Sequence, residues 1–115
     1  MKKIKVTAVF DIGKTNKKFF LFDQSFREVH KEYIRFEEVE DEDGHPTENL
    51  LALQKWLKDV FHSILDANEY DVKAINFSTY GASLVHIDEN GYPLIPFYNY
   101  TKPLPKEIVP FFLKQ

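Results

Sequence analysis

Apolar and polar positions alternate along residues 5–11, with Ile4, Val6, Ala8 and Phe10 on one face and Thr7 and Val9 on the other. Apolar side chains on both sides predict a central strand covered on both faces. Residues 19–23 form a second apolar strand, so close behind the first that it must pair with it antiparallel. Residues 28–36 place His30, Lys31, Glu32 and Arg35 among apolar neighbours, the mark of a third strand nearer an edge. Leu50, Leu53, Leu57, Val60, Phe61, Ile64 and Leu65 then recur at helical spacing, and Trp56 widens the stripe. Thr47 after Pro46 is the expected N-cap, Glu48 suits the positive end of the helix dipole, and Asn68 suits a left-handed C-terminal cap. His62 lies beside the stripe with no metal-ligating partner one turn away.

Residues 72–78 read as a fourth strand and residues 84–88 as a fifth, turned by Glu89-Asn90-Gly91. Residues 92–100 continue as an extended edge segment, because Pro93 and Pro96 cannot donate to a ladder. Pro103, Pro105 and Pro110 break up the tail, with Pro105 positioned to open a short helix through residues 107–109. Strand, helix and strand in succession predict that residues 72–78 lie parallel to the first strand. Ligands of such sheets bind outside the carboxyl ends of parallel strands. Asp11-Ile12-Gly13 and Ser78-Thr79-Tyr80-Gly81 are those ends, so two turns rich in Gly, Thr, Ser and Asn are expected on one rim.

The first turn carries its own chemistry. Gly13-Lys14-Thr15 lacks the glycine five residues upstream that a P-loop requires, since position 8 is Ala8, and no helix follows it. A hairpin turn remains, presenting N–H groups and Lys14, Thr15, Asn16 and Lys17 to an anion, or simply a soluble turn.

Composition narrows the classes. At 115 residues the chain holds one domain at most, with 43% hydrophobic and 29% charged residues. A net charge of −3 with scattered basic residues carries no nucleic-acid footprint. The absence of cysteine excludes disulfides and thiolate chemistry. No apolar run approaches the roughly 20 residues of a membrane span, and no signal peptide follows Met1-Lys2-Lys3, so a cytoplasmic location is expected. Six acids between positions 37 and 43 read as a solvated connection, since the spacing and the flanking helices of a calcium loop are missing.

Asp11-Ile12-Gly13-Lys14-Thr15-Asn16, followed by Phe19-Phe20-Leu21-Phe22-Asp23, resembles the first phosphate loop of the FGGY carbohydrate kinases. Residues 75–82, with Leu84-Val85-His86-Ile87-Asp88-Glu89-Asn90-Gly91, are similar to the sugar-site strand and hairpin of the rhamnulokinase-like and xylulokinase-like members. The resemblance spans nearly the whole chain. It implies an α/β, ribonuclease H-like (actin-like ATPase) half-domain: a mixed sheet in β-β-β-α-β order plus a C-terminal hairpin, incomplete by itself. Residues 1–115 would be the N-terminal portion of the first kinase domain.

The resemblance further implies transfer of the γ-phosphate of ATP to a sugar hydroxyl, with ATP and Mg²⁺ as cofactors and a small sugar as substrate. Gly13, Lys14, Thr15, Asn16 and Lys17 would hold the ATP phosphates, with Lys17 or Lys18 supplying the charge that an arginine brings in relatives. Tyr80, Gly81 and Ala82 would contact the sugar, and Asp11 would hold Mg²⁺ through water. The general-base aspartate is expected beyond Gln115, so no catalytic residue is assigned and the isolated chain is expected to be inactive. Lys14, the Ala82-Ser83 pair and Thr101 depart from the family pattern, which leaves the sugar open. The apolar tail at residues 108–113 predicts self-association or packing against the remainder of a kinase. A stand-alone actin-like module that binds a nucleotide or sugar without chemistry is the alternative, and another phosphotransferase or ATPase of the same superfold is a third reading.

Overall fold

A computed structural model describes residues 2–114, except the side chain of Phe112. Three strands lead the chain: β1 (Ile4–Ile12), β2 (Lys17–Asp23) and β3 (Glu28–Ile34). A short pair follows, β4 (Val39–Glu40) with β5 (Pro46–Thr47), and then helix α1 (Leu50–Ala67) and strand β6 (Tyr70–Thr79). A five-residue helix, α2 (Val109–Leu113), lies near the end. The main sheet has the order β3-β2-β1-β6, with β1 antiparallel to β2 and parallel to β6. The expected parallel return of the fourth strand is therefore met, and the first strand is central.

The core follows from the alternation in β1 and β2. Val6, Ala8, Phe10 and Ile12 of β1 join Phe19 and Leu21 of β2 on one buried face, where Trp56, Val60 and Ile64 of α1 cover them. Phe10 is the centre of this layer, with its ring 4.7 Å from Phe19, 5.2 Å from Phe77 and 5.9 Å from Trp56. The opposite face corrects the expectation of a sheet covered on both sides. No helix among the described residues packs there; Val9, Phe20 and Phe22 remain half-buried, and Phe20 stacks on Phe22 at 5.6 Å.

Helix α1 begins later than predicted. Asn49, not Thr47, is its N-cap, and the Asn49 side chain accepts a bond from the Ala52 N–H. Thr47 donates instead to the Phe97 carbonyl at 2.8 Å, fastening β5 to the C-terminal segment. Asn68 closes the helix with φ 59° and ψ 21°, the left-handed cap the sequence suggests.

The acidic connection is also more ordered than a solvated loop. The Asp41 carboxylate accepts from the Asp43 and His45 N–H groups, and the turn it closes joins β4 to β5. The fifth strand is a second correction. Asp88 caps a turn through Asn90 and Tyr92, but only an isolated bridge, Ile87 to Pro93, forms beside it. Pro93 and Pro96 lack the N–H groups that would extend the ladder. Helix α2 is displaced too: it starts at Val109 with Pro110 in its first turn, a position where a missing N–H costs nothing.

Candidate functional site

The parallel register of β1 and β6 sets the site. Asp11 lies opposite Ser78 and Ile12 opposite Thr79, so both strands end at the same rim. The Tyr80 N–H donates to the Ile12 carbonyl at 3.1 Å, which carries the pairing one residue beyond β6. The Gly13 turn and the Tyr80 loop thus stand side by side, as the strand-helix-strand order predicts.

Each turn residue has a defined place. The Gly13 N–H donates to the Asn16 carbonyl at 3.0 Å, closing a tight loop between β1 and β2. A Cβ at Gly13 would meet the Asn16 carbonyl oxygen at 2.7 Å, so the turn requires glycine for space. Thr15 and Asn16 are exposed, and the N–H groups of Lys14, Thr15 and Asn16 have no acceptor among the described residues. Three free donors on one short turn are groups of the kind an anion uses. The Lys14 ammonium stands 3.8 Å from Glu38 and is partly exposed.

Lys17 behaves differently from its neighbours. It is 1% exposed, and its ammonium contacts both oxygens of Glu48, at 2.8 Å and 3.0 Å, and donates to the Lys14 carbonyl at 2.8 Å. Its side chain therefore points into the protein rather than out to solvent. Tyr80 joins the same group by donating its hydroxyl to Glu48 at 3.0 Å. Burial, and then the Glu48 carboxylate, push the Tyr80 hydroxyl well above the ordinary tyrosine range, so it remains a donor.

The second loop is more open. A Cβ at Gly81 would touch nothing within 4 Å, so close backbone approach does not explain that glycine within this chain. The left-handed residue is Ala82, with φ 66°. Ala82 and Ser83 line an open groove of about 860 Å³ whose other wall comes from residues 95–105, with Glu42 and Asp43 at its edge. Tyr100 spans the two walls: its N–H donates to the Ser83 hydroxyl at 2.9 Å, and its ring lies 6.1 Å from that of Tyr80.

The chain matches the model of the FGGY family of carbohydrate kinases, N-terminal domain, over residues 6–109. The chain belongs to this family. Solved structures agree on the fold. A carbohydrate kinase from Novosphingobium aromaticivorans superimposes with a TM-score of 0.80 at 21% identity, over 94% of this chain and 22% of that one. Gluconate kinase from Lactobacillus acidophilus gives 0.68 at 17% identity, over 83% of this chain and 19% of that one. A ligand-bound xylulose kinase from the same organism gives 0.67 at 17%, over 82% and 19%. This FGGY chain thus spans about a fifth of the length of the structures it matches. Among curated proteins none matches it.

Within the FGGY fold, Asp11 has the chemistry a divalent ion needs. It is half-buried at the carboxyl end of β1, and its carboxylate has no hydrogen bond or ion pair among the described residues. No cluster of three or more His, Cys, Asp or Glu residues is present among them. Magnesium is commonly held by one or two carboxylates together with water and phosphate oxygens, so a lone free carboxylate beside a turn with unbonded N–H groups fits it. No described helix is long and apolar enough to cross a membrane.

Glu48 is the site residue that the sequence concealed. Its place just before a helix gave it a dipole role, whereas its partners lie 31 and 32 residues away in either direction. Nothing in Pro46-Thr47-Glu48-Asn49 marks this acid as buried, so the sequence carries no signal for the role.

Proposed function

We propose that this chain forms the phosphate-binding rim and one wall of the sugar cleft of a carbohydrate kinase that transfers the γ-phosphate of ATP to a sugar hydroxyl. The observation that carries the reading is the shared rim, where the Asp11–Asn16 turn and the Tyr80–Ser83 loop are neighbours through the β1–β6 register. Phosphoryl transfer depends on positioning and on neutralising oxygen charge more than on covalent help from the protein. The N–H groups of Lys14, Thr15 and Asn16 would bind phosphate oxygens, with the Lys14 ammonium adding charge. The Asp11 carboxylate would orient the water shell of Mg²⁺, which when bound supplies charge neutralisation to the phosphates. Ala82 and Ser83, which line the groove, would face the sugar, with Gly81 just ahead of them in the loop.

Lys17 and the Tyr80 hydroxyl are supporting parts in this reading, because both are already bonded to Glu48. The general base is assigned to the part of the kinase outside these residues. Asp23 and Asp88, the carboxylates at the hairpin ends, each cap their own turn. The isolated 115-residue chain is accordingly expected to bind phosphate weakly and to show no turnover.

The test is Asp11→Asn in the full-length protein, assayed with ATP, Mg²⁺ and a panel of sugars. Loss of kcat by about a hundredfold, with a raised Mg²⁺ requirement, is expected from removing one preorganised charge at a phosphoryl-transfer centre. Unchanged turnover and unchanged Mg²⁺ dependence would overturn the assignment.

A further inference from the structure

We propose that Glu48 is a positioning residue that ties the phosphate turn and the sugar-side loop into one unit, with Lys17 serving that tie rather than a bound phosphate. The proposal rests on the kinase reading for its purpose, but its geometry stands independently. Glu48 precedes α1 and belongs to neither loop. Its carboxylate nevertheless contacts Lys17, the first residue after the Gly13 turn, and Tyr80, the first residue after β6.

The ammonium of a lysine has three donors and no acceptor. In Lys17 its contacts are the Lys14 carbonyl and the two Glu48 oxygens, all within 2.8–3.0 Å. Two of these are hydrogen bonds and the third is an ion-pair contact, and at 1% exposure the group is closed to solvent. Lys17 thereby draws the Lys14 carbonyl inward, which helps set the curvature of the turn whose N–H groups stay free. Through the same carboxylate the Tyr80 hydroxyl holds the start of the second loop.

A buried ion pair is a costly way to obtain stability, because desolvation offsets much of the attraction and an apolar pair of similar volume often does as well. Fixing a geometry is the use that remains for it here. Besides this carboxylate, the bond from the Tyr80 N–H to the Ile12 carbonyl links the loops directly. A displacement of either loop must break or drag the Glu48 contacts, so a ligand ordering one is felt at the other.

Amide hydrogen exchange on the full-length protein, without nucleotide or sugar, tests this in three variants. Glu48→Gln is expected to raise exchange by about tenfold at the hydrogen-bonded amides of Gly13 and Tyr80 together, the scale of a hydrogen bond to a charged group. Tyr80→Phe, which leaves Lys17 and Glu48 paired, is expected to raise exchange at the Gly13 amide as well as at the amide of position 80. The double variant Lys17→Met with Glu48→Leu restores the melting temperature toward wild type, yet leaves both loops fast-exchanging. A purely structural pair predicts the opposite: the apolar replacement restores slow exchange in both loops, and that result would overturn the proposal. So would loosening confined to the amide of position 80 in Tyr80→Phe, with Gly13 unchanged, which also decides the matter if Glu48→Gln does not fold. Exchange needs no catalysis, so a failed kinase assay leaves this result standing. Uncoupled loops in an active kinase would sink the Glu48 role alone.

Discussion

The Gly13 turn is bracketed by a nine-residue and a seven-residue strand that pair residue by residue from Val6–Asp23 to Ile12–Lys17. The loop after β6, by contrast, runs into residues 81–108, where one isolated bridge stands in place of a ladder among the described residues. Both regions reach the same rim, yet they are held by different means. The turn is fixed from within, by ladder bonds, the Gly13–Asn16 closure and a buried lysine. The second loop is fixed from its edges: Asn99 is buried and donates to Glu38, Thr47 holds the Phe97 carbonyl, and Lys102 pairs with Asp41 and Asp43 at 2.8 Å. Leu84, Ile87 and Leu94 stay exposed. A turn preorganised by its own strands is thus joined to a groove wall that depends on contacts made far along the chain.

The largest break in this comparison comes from equal truncations on the two sides. Phe10→Ala removes the ring at the centre of the core and is expected to cost about 3–5 kcal/mol, whereas Leu84→Ala is expected to stay within about 0.5 kcal/mol. Denaturant unfolding of both variants measures the contrast, and similar costs would show that the second region also has a packed core.

Lys17→Met sharpens it next. Leaving the Glu48 carboxylate buried without its cation is expected to cost about 3 kcal/mol, again read from denaturant midpoints. A cost under about 1 kcal/mol would mean that water or another group reaches Glu48.

The smallest effect concerns the clamp on the groove. The Lys102 bond, opposed by burial and helped by the His45 and Asp43 N–H groups, holds the Asp41 carboxyl below its ordinary range. Asp41, and then Asp43, raise the Lys102 ammonium above its own ordinary range. The Asp41 contribution is therefore present above about pH 4 and lost as pH falls through its lowered folded value. The Lys102 contribution is present below about pH 10 and lost as pH rises through its raised folded value. Melting temperature against pH should show Lys102→Ala flattening both shoulders, and a profile unchanged by the substitution would remove the clamp from the account.

Much of this protein is local and hence readable from its sequence. Strict alternation in β1 and β2, helical spacing from Leu50 to Leu65 and the left-handed Asn68 cap each depend on neighbours a few residues away. The parallel return of β6 followed from the order of elements, and the shared rim followed from that. What the sequence alone missed involves distant partners or missing donors. Thr47 was expected to cap the helix but bonds Phe97 fifty residues on, and the acidic stretch closes a turn that Lys102 reaches from the other end of the chain. The second hairpin shrank to one bridge because prolines remove ladder donors. Lys17 has the look of a phosphate ligand, and only tertiary structure, by burying it against Glu48, turns its charge inward. Periodicity fixes which faces are apolar, because each residue's direction repeats with the backbone. Which charge meets which is settled only when segments far apart in the chain are folded together and shielded from water.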